Sequence, residues 1–229
     1  MPPSSSISLH LATHPHDPLI LSRLENHVFQ DDAFSALAFG PHRGSEESIL
    51  ARARVLGKGM GDEEDVGKRR WRYVKAVSGE EVVGFAAWGV SRVEGEGSGD
   101  GNQKGSEDVD VDVEGNGEEK NSWGIGANVR FCEDTLVWAD EEMLKSCAGR
   151  DYAKLYVLVV SPAHQRRGIG SLLLTEGLKE IDALGLQCVL GASPEGEELY
   201  RRFGFGEIAA KELKLEEYEG GEGMGVARH

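Results

Sequence analysis

Apolar and polar residues alternate over residues 7–12, Ile7-Ser8-Leu9-His10-Leu11-Ala12, as in a half-buried strand. Asp17 then offers an N-cap with Pro18 at the first helical position, and Leu19, Ile20, Leu24, Val28 and Phe29 recur at near-helical spacing. A second helix is predicted from Ser45 through Ile49, Ala53 and Leu56, ending in the glycine cluster of residues 57–61. Residues 71–77 and 82–91 are rich in Val, Ala and aromatic residues and flank Ser78-Gly79-Glu80-Glu81, which predicts an antiparallel hairpin. Residues 129–147, with Trp138, Met143 and Leu144, are mixed in pattern and read as helical.

The last third is patterned more sharply. Leu155-Tyr156-Val157-Leu158-Val159-Val160 is an unbroken apolar run of strand length, as expected of a strand buried on both faces, and Ser161-Pro162 ends it. His164-Gln165-Arg166-Arg167-Gly168-Ile169-Gly170 follows and leads into residues 171–184, where Ile169, Leu172, Leu173, Ile181 and Leu184 keep helical period. The unit is strand, tight loop, helix. Unpaired N–H groups at a helix start point one way and the helix dipole adds partial positive charge, so the loop is a candidate anion site. Gly168 and Gly170 remove side chains where a diphosphate must approach the backbone, and Arg166 and Arg167 can supply charge at its rim. The spacing is neither that of a P-loop nor that of the dinucleotide fingerprint.

Gln165-x-x-Gly168-x-Gly170, after a strand ending Leu158-Val159-Val160, resembles the acetyl-CoA signature of the GNAT N-acetyltransferase superfamily. A second segment lies at the distance that family shows. Cys188-Val189-Leu190-Gly191-Ala192-Ser193 reads as a strand, and residues 195–205, with Tyr200 and Gly204-Phe205, resemble the family's closing helix and Gly-Phe turn. The resemblance covers residues 155–207. It implies an α/β (α+β) fold with a mixed, mostly antiparallel sheet flanked by helices, in which the strand at Leu158 splays from the strand at Val189 to admit the pantetheine arm. It further implies acetyl-CoA as cosubstrate without a metal, held by the main chain of Leu158, Val159 and Val160, by Gln165, Arg166, Arg167, Gly168, Ile169, Gly170 and Ser171, and by Ser193. Tyr200 matches the tyrosine that protonates the departing thiolate in many members. The implied reaction is direct acetyl transfer to a primary amine of a small molecule, peptide or protein. The strand of residues 155–160 departs from the clearest family pattern in carrying no carboxylate, so an inactive acetyl-CoA-binding module is the alternative.

No residue is assigned as general base. Glu133, Asp134 and Asp140 lie upstream where an acceptor-side acid could sit, while His27 and His42 read as structural or exposed.

Composition narrows the partners. Forty acidic against 25 basic residues give a formal net charge of -15, which disfavours nucleic acid, whose phosphates need a basic face. Ten acidic and two basic residues fall in residues 94–120, a Gly-, Asp- and Glu-rich stretch expected to be a disordered surface insertion in a single domain spanning residues 1–229. Asp108, Asp110 and Asp112 alternate there, but the glycine and closing glutamate of an EF-hand loop are missing. Cys132, Cys147 and Cys188 match no zinc spacing and lack an adjacent histidine. With neither a leader pattern nor a membrane-length apolar run, a soluble cytoplasmic protein is expected, the nucleus and the oligomeric state being left open.

Overall fold

The computed structural model describes residues 6–60, 69–92, 123–124 and 126–228. The elements in chain order are β1 (Ile7–Leu11), α1 (Pro18–Phe29), α2 (Ala33–Phe39), α3 (Glu46–Gly59), β2 (Arg69–Ser78), β3 (Glu81–Ser91), α4 (Val129–Cys132), a π-helical turn (Glu133–Val137), α5 (Trp138–Cys147), β4 (Tyr152–Val160), a 3-10 turn (Pro162–His164), α6 (Ile169–Ala183), β5 (Gln187–Leu190), α7 (Pro194–Arg202), β6 (Glu212–Lys214) and β7 (Val226–Arg228). The acidic stretch of residues 94–120, with Asp108, Asp110 and Asp112, lies outside the described residues. Two compact units emerge, each assembled from three separated stretches of chain.

The first unit comprises Met1–Phe29, Arg52–Arg92 and Asp151–Leu190. Its sheet runs in the order β1-β2-β3-β4-β5, antiparallel except for the parallel β4–β5 pair, which is the mixed sheet expected of the sequence. The hairpin of β2 and β3 turns through Gly79 and Glu80, with Gly79 at φ 64°, the left-handed backbone that a two-residue hairpin loop requires. On one face Tyr73, Phe85, Ala87, Val157 and Val159 pack against Leu21 and Leu24 of α1 and Leu56 of α3.

The opposite face carries α6, and two glycines set how closely the helix approaches. A Cβ on Gly84 of β3 would lie 2.8 Å from the Val159 carbonyl oxygen and 3.4 Å from Ile169 and Leu173, so the first turn of α6 presses directly on the strand. A Cβ on Gly177 would fall 2.2 Å from the Trp88 indole. Arg72 of β2 pairs with Glu180 and Glu176, fastening the later turns of α6. The buried stripe of α6 is Ile169, Leu173, Leu174, Gly177 and Ile181. Leu172 and Leu184, expected on that face from their period, are exposed instead. Period alone admits both stripes; the contacts of Gly84 and Trp88 select between them.

Both faces of β4 carry buried residues, as expected: Leu155 and Val160 on the α6 face, Val157 and Val159 on the α1 face. Nine residues run from Tyr152 to Val160, with a register break between Ala87 and Trp88 of β3 that leaves Tyr156 as an extra residue, a β-bulge. Trp88 and Leu155 face α6 before the break, and Ala87 and Val157 face α1 after it.

The second unit comprises Gln30–Ala51, Val93–Arg150 and Gly191–His229. Its core packs Leu37 and Ala38 of α2 against Phe131, Cys132, Leu213, Leu215 and Tyr218. α2 is too short to show a helical period in the sequence, although Asp32 caps it by accepting from the Ser35 amide at 2.6 Å. The helical stretch expected over residues 129–147 is broken by the π turn, where the Thr135 hydroxyl donates to the Phe131 carbonyl at 2.6 Å.

Asp17 is 2% exposed and accepts from Lys75 Nζ at 2.6 and 2.7 Å and from the Thr13 amide at 2.7 Å. Burial alone would raise its pKa, but the Lys75 and Thr13 hydrogen bonds outweigh it and hold the carboxyl below its usual range. A depressed carboxylate stabilises the fold above its unfolded pKa of about 4 and ceases to do so as pH falls through the lower folded value. Lys75→Met is therefore expected to cost about 3–5 kcal/mol at neutral pH. Denaturant titrations at pH 7 and in acid check this, the deficit narrowing in acid.

Candidate functional site

The strand–loop–helix predicted over residues 155–184 is a continuous structure of the first unit. The β4–β5 ladder pairs Tyr152 to Leu155 with Gln187 to Leu190 and ends there, while β4 runs on to Val160. The next strand thus closes at Leu190, earlier than the expected segment reaching Ala192 and Ser193. This is the splay the sequence implies, and its direction is legible in one hydrogen bond. The Ser161 amide donates to the Val83 carbonyl at 2.8 Å. Main-chain groups alternate sides along a strand, so those of Val159 also face β3, while those of Leu158 and Val160 face the open side. Of the three residues expected to offer main-chain atoms, Val159 is committed to the sheet.

Gln165 secures the loop. Its side-chain Nε2 donates to the Val160 carbonyl at 3.1 Å, and its own amide reaches the Pro162 carbonyl at 3.4 Å. Its side chain thus braces the strand end. Beyond it the backbone turns through Arg166 at φ 59° and Gly168 at φ 81°, both left-handed. Such reversals direct successive N–H groups into one concavity. Among the described residues, the amides of Arg166, Arg167, Gly168, Ile169, Gly170 and Ser171 have no acceptor; the first helical bond is Leu172 N–H to the Gly168 carbonyl at 3.0 Å. The Arg166 and Arg167 side chains and Gly168 are exposed at the loop, and a Cβ placed on Gly168 would meet no atom within 4 Å. Open amides, a helix start, two guanidinium groups and free space are what a diphosphate needs.

Residues 133–216 match the family model of the acetyltransferase (GNAT) domain. Over that stretch the chain is similar to GNAT acetyltransferase domains. A mosquito arylalkylamine N-acetyltransferase-like 5b structure is similar in fold, with a TM-score of 0.58 at 16% identity over 93% of this chain and 88% of that one. A transcriptional regulator from Bacillus halodurans aligns with a TM-score of 0.50 at 15% identity over 89% of this chain and 95% of that one. No curated protein matches the chain in sequence.

The rest of the GNAT pattern lies in the second unit. Ser193 occupies the N-cap position of α7 and its carbonyl accepts from the Gly196 and Glu197 amides at 3.0 and 3.1 Å. Tyr200 is buried on the last turn of α7, its ring edge-on to Phe205 and close against Gly196, where a Cβ would sit 2.9 Å from the ring. Gly204, at φ 86°, makes the Gly-Phe turn. Burial pushes the Tyr200 phenol up to about 12, so it keeps its proton through neutral pH.

The upstream acids divide by environment. Asp134 accepts from the Tyr218 hydroxyl at 2.9 Å and its carbonyl accepts from Lys211 Nζ at 2.7 Å, which makes it a brace for the C-terminal segment. Glu133 is exposed, as are His27 and His42. Cys132 is fully buried and its thiol is pushed up to about 12, by burial and then by Glu133, which removes it as a nucleophile. Among the described residues no three His, Cys, Asp or Glu side chains converge in a metal-binding group.

Gly168→Ala tests the loop. The space is open, so the expected cost is conformational, about 1–2 kcal/mol for a left-handed residue, seen as a melting temperature lower by a few degrees. Gly168→Asn, which tolerates that backbone better, is expected to lose less.

Proposed function

We propose that this chain is an acetyl-CoA-dependent N-acetyltransferase that passes an acetyl group directly to a primary amine of a small molecule, peptide or protein. The row of open amides from Arg166 to Ser171, ahead of a 15-residue helix, is the observation that carries this reading. Acetyl-CoA supplies the activated acyl group as a thioester. The amides of Gly168, Ile169, Gly170 and Ser171 bind the diphosphate, and Arg166 and Arg167 add charge at its rim. Main-chain groups of Leu158 and Val160 orient the pantetheine arm by strand-edge hydrogen bonding, with Gln165 fixing the strand end and Val159 holding the edge in the sheet. Ser193 begins the α7 segment that completes the motif.

Tyr200 is the proton donor to the departing sulfur, a role supported by its place in the closing-helix motif and by a phenol that stays protonated at neutral pH. The domain spans residues 1–229, with residues 94–120 as an insertion. One observation favours a second reading, a module that holds acetyl-CoA without turning it over: β4 carries no Asp or Glu between Tyr152 and Val160.

Calorimetric titration with acetyl-CoA is expected to give 1:1 binding, weakened about tenfold or more by Arg166→Ala combined with Arg167→Ala. Absence of binding by folded native protein overturns the proposal. Tyr200→Phe is expected to lower kcat about hundredfold, measured as CoA release with an amine panel, while acetyl-CoA affinity holds. Tight binding with no release on any amine selects the module instead.

A further inference from the structure

The end of α7, wholly within the second unit, folds back on its own last turn in a way that cofactor binding does not require. The Phe205 amide donates to the Tyr200 carbonyl at 3.2 Å and the Gly204 amide to the Arg201 carbonyl at 3.0 Å, with Gly204 left-handed at φ 86°. These nested bonds form a Schellman cap, in which the residue after the glycine returns against the side chain that opens the motif. Here that contact is Phe205 on Tyr200, with ring centroids 6.1 Å apart and planes at 74°. The Tyr200 ring is thus stopped from the cap side.

Gly196, one helical turn earlier, stops it from the other side. Long helical side chains lean back toward the N-terminus, so the residue four positions before Tyr200 lies under its ring. A Cβ on Gly196 would lie 2.9 Å from Cε2 and 3.6 Å from Cζ of that ring, and 3.6 Å from Ser193 Oγ, whereas ordinary contact begins at 3.4 Å. The backbone of Gly196 is itself unexceptional, being helical and outside the left-handed range. Among the described residues only the Tyr200 ring obstructs a side chain there, and alanine would suit the helix better than glycine does. No described residue hydrogen-bonds the Tyr200 hydroxyl, so packing sets where its proton is offered.

Resting on the acetyltransferase reading, we propose that Gly196 and Phe205 are positioning residues: they form a slot one ring thick that holds the Tyr200 phenol where the departing sulfur needs it, and a methyl group added at residue 196 lifts the phenol away.

The test is a double-mutant cycle read as CoA release on an amine panel. Gly196→Ala is expected to lower kcat about tenfold, the scale of a shift of roughly half an ångström at a reacting group. Its melting temperature is expected to hold or rise, because alanine is the better helix former, and its acetyl-CoA affinity to hold. In the Tyr200→Phe background the same substitution is expected to change kcat by less than about twofold, since the group it displaces is gone. Phe205→Leu, which keeps the cap but removes the ring, is expected to lower kcat about threefold with Tyr200 present and to add nothing to Tyr200→Phe. Should Gly196→Ala fail to fold, the Phe205→Leu pair decides by the same comparison. An unchanged kcat in the folded variants, or an equal loss with and without the Tyr200 hydroxyl, overturns the slot alone. Absence of acetyl-CoA binding or of CoA release in native protein overturns the acetyltransferase reading, and the slot's role with it.

Discussion

Main-chain hydrogen bonding governs the first unit. β4 gives one side wholly to β3 but meets β5 only as far as Leu155, and the chain from Arg166 to Ser171 then presents six successive amides without an acceptor among the described residues. The first N–H groups of any helix lack an intrahelical acceptor, and at this exposed loop they stay open to water or to an anionic ligand. The packing around this segment holds it in place. Gly84 and Gly177 admit α6 to contact distance at two points, and Arg72 fastens its later turns, so the helix start cannot drift from the strand end it follows.

Much of this was legible in the sequence, because the elements concerned are defined by local chemistry. The apolar run at residues 155–160, the Gly-Ile-Gly turn and the amphipathic segment after it each obey a short-range rule, and their order survives in the fold. The Gly79 hairpin and the Pro18 helix start are of the same kind. What escaped depends on partners distant in the chain. Nothing in Leu155-Tyr156-Val157 marks Tyr156 as the extra residue; the register of β3 imposes it. Leu172 satisfies helical period as well as Leu174 does, and only the sheet beneath α6 separates them.

The acids show the same division. Glu133, Asp134 and Asp140 look alike as sequence, yet Asp134 is held by Tyr218, 84 residues on, and by Lys211, 77 residues on. The short helix α2 is legible in retrospect from its Asp32 cap, and was hidden because seven residues carry too little periodicity to register against the loops around them. The π turn left no signal beyond Thr135, whose hydroxyl bond to the Phe131 carbonyl shows only in three dimensions.

The interleaving of the two units bears on how the protein comes into being. Neither is a contiguous piece of polypeptide: β5, which closes the first sheet, is synthesised after most of the second unit's helices, and the second core waits for Leu213, Leu215 and Tyr218. A nascent chain emerging from the ribosome would therefore hold β1 to β3 for a long interval with α1 and α3 available to one face and the face that α6 later covers still bare, until β4 and α6 arrive. Such a protein has reason to lean on chaperones during translation, and it offers no cut point at which either half could be expressed alone.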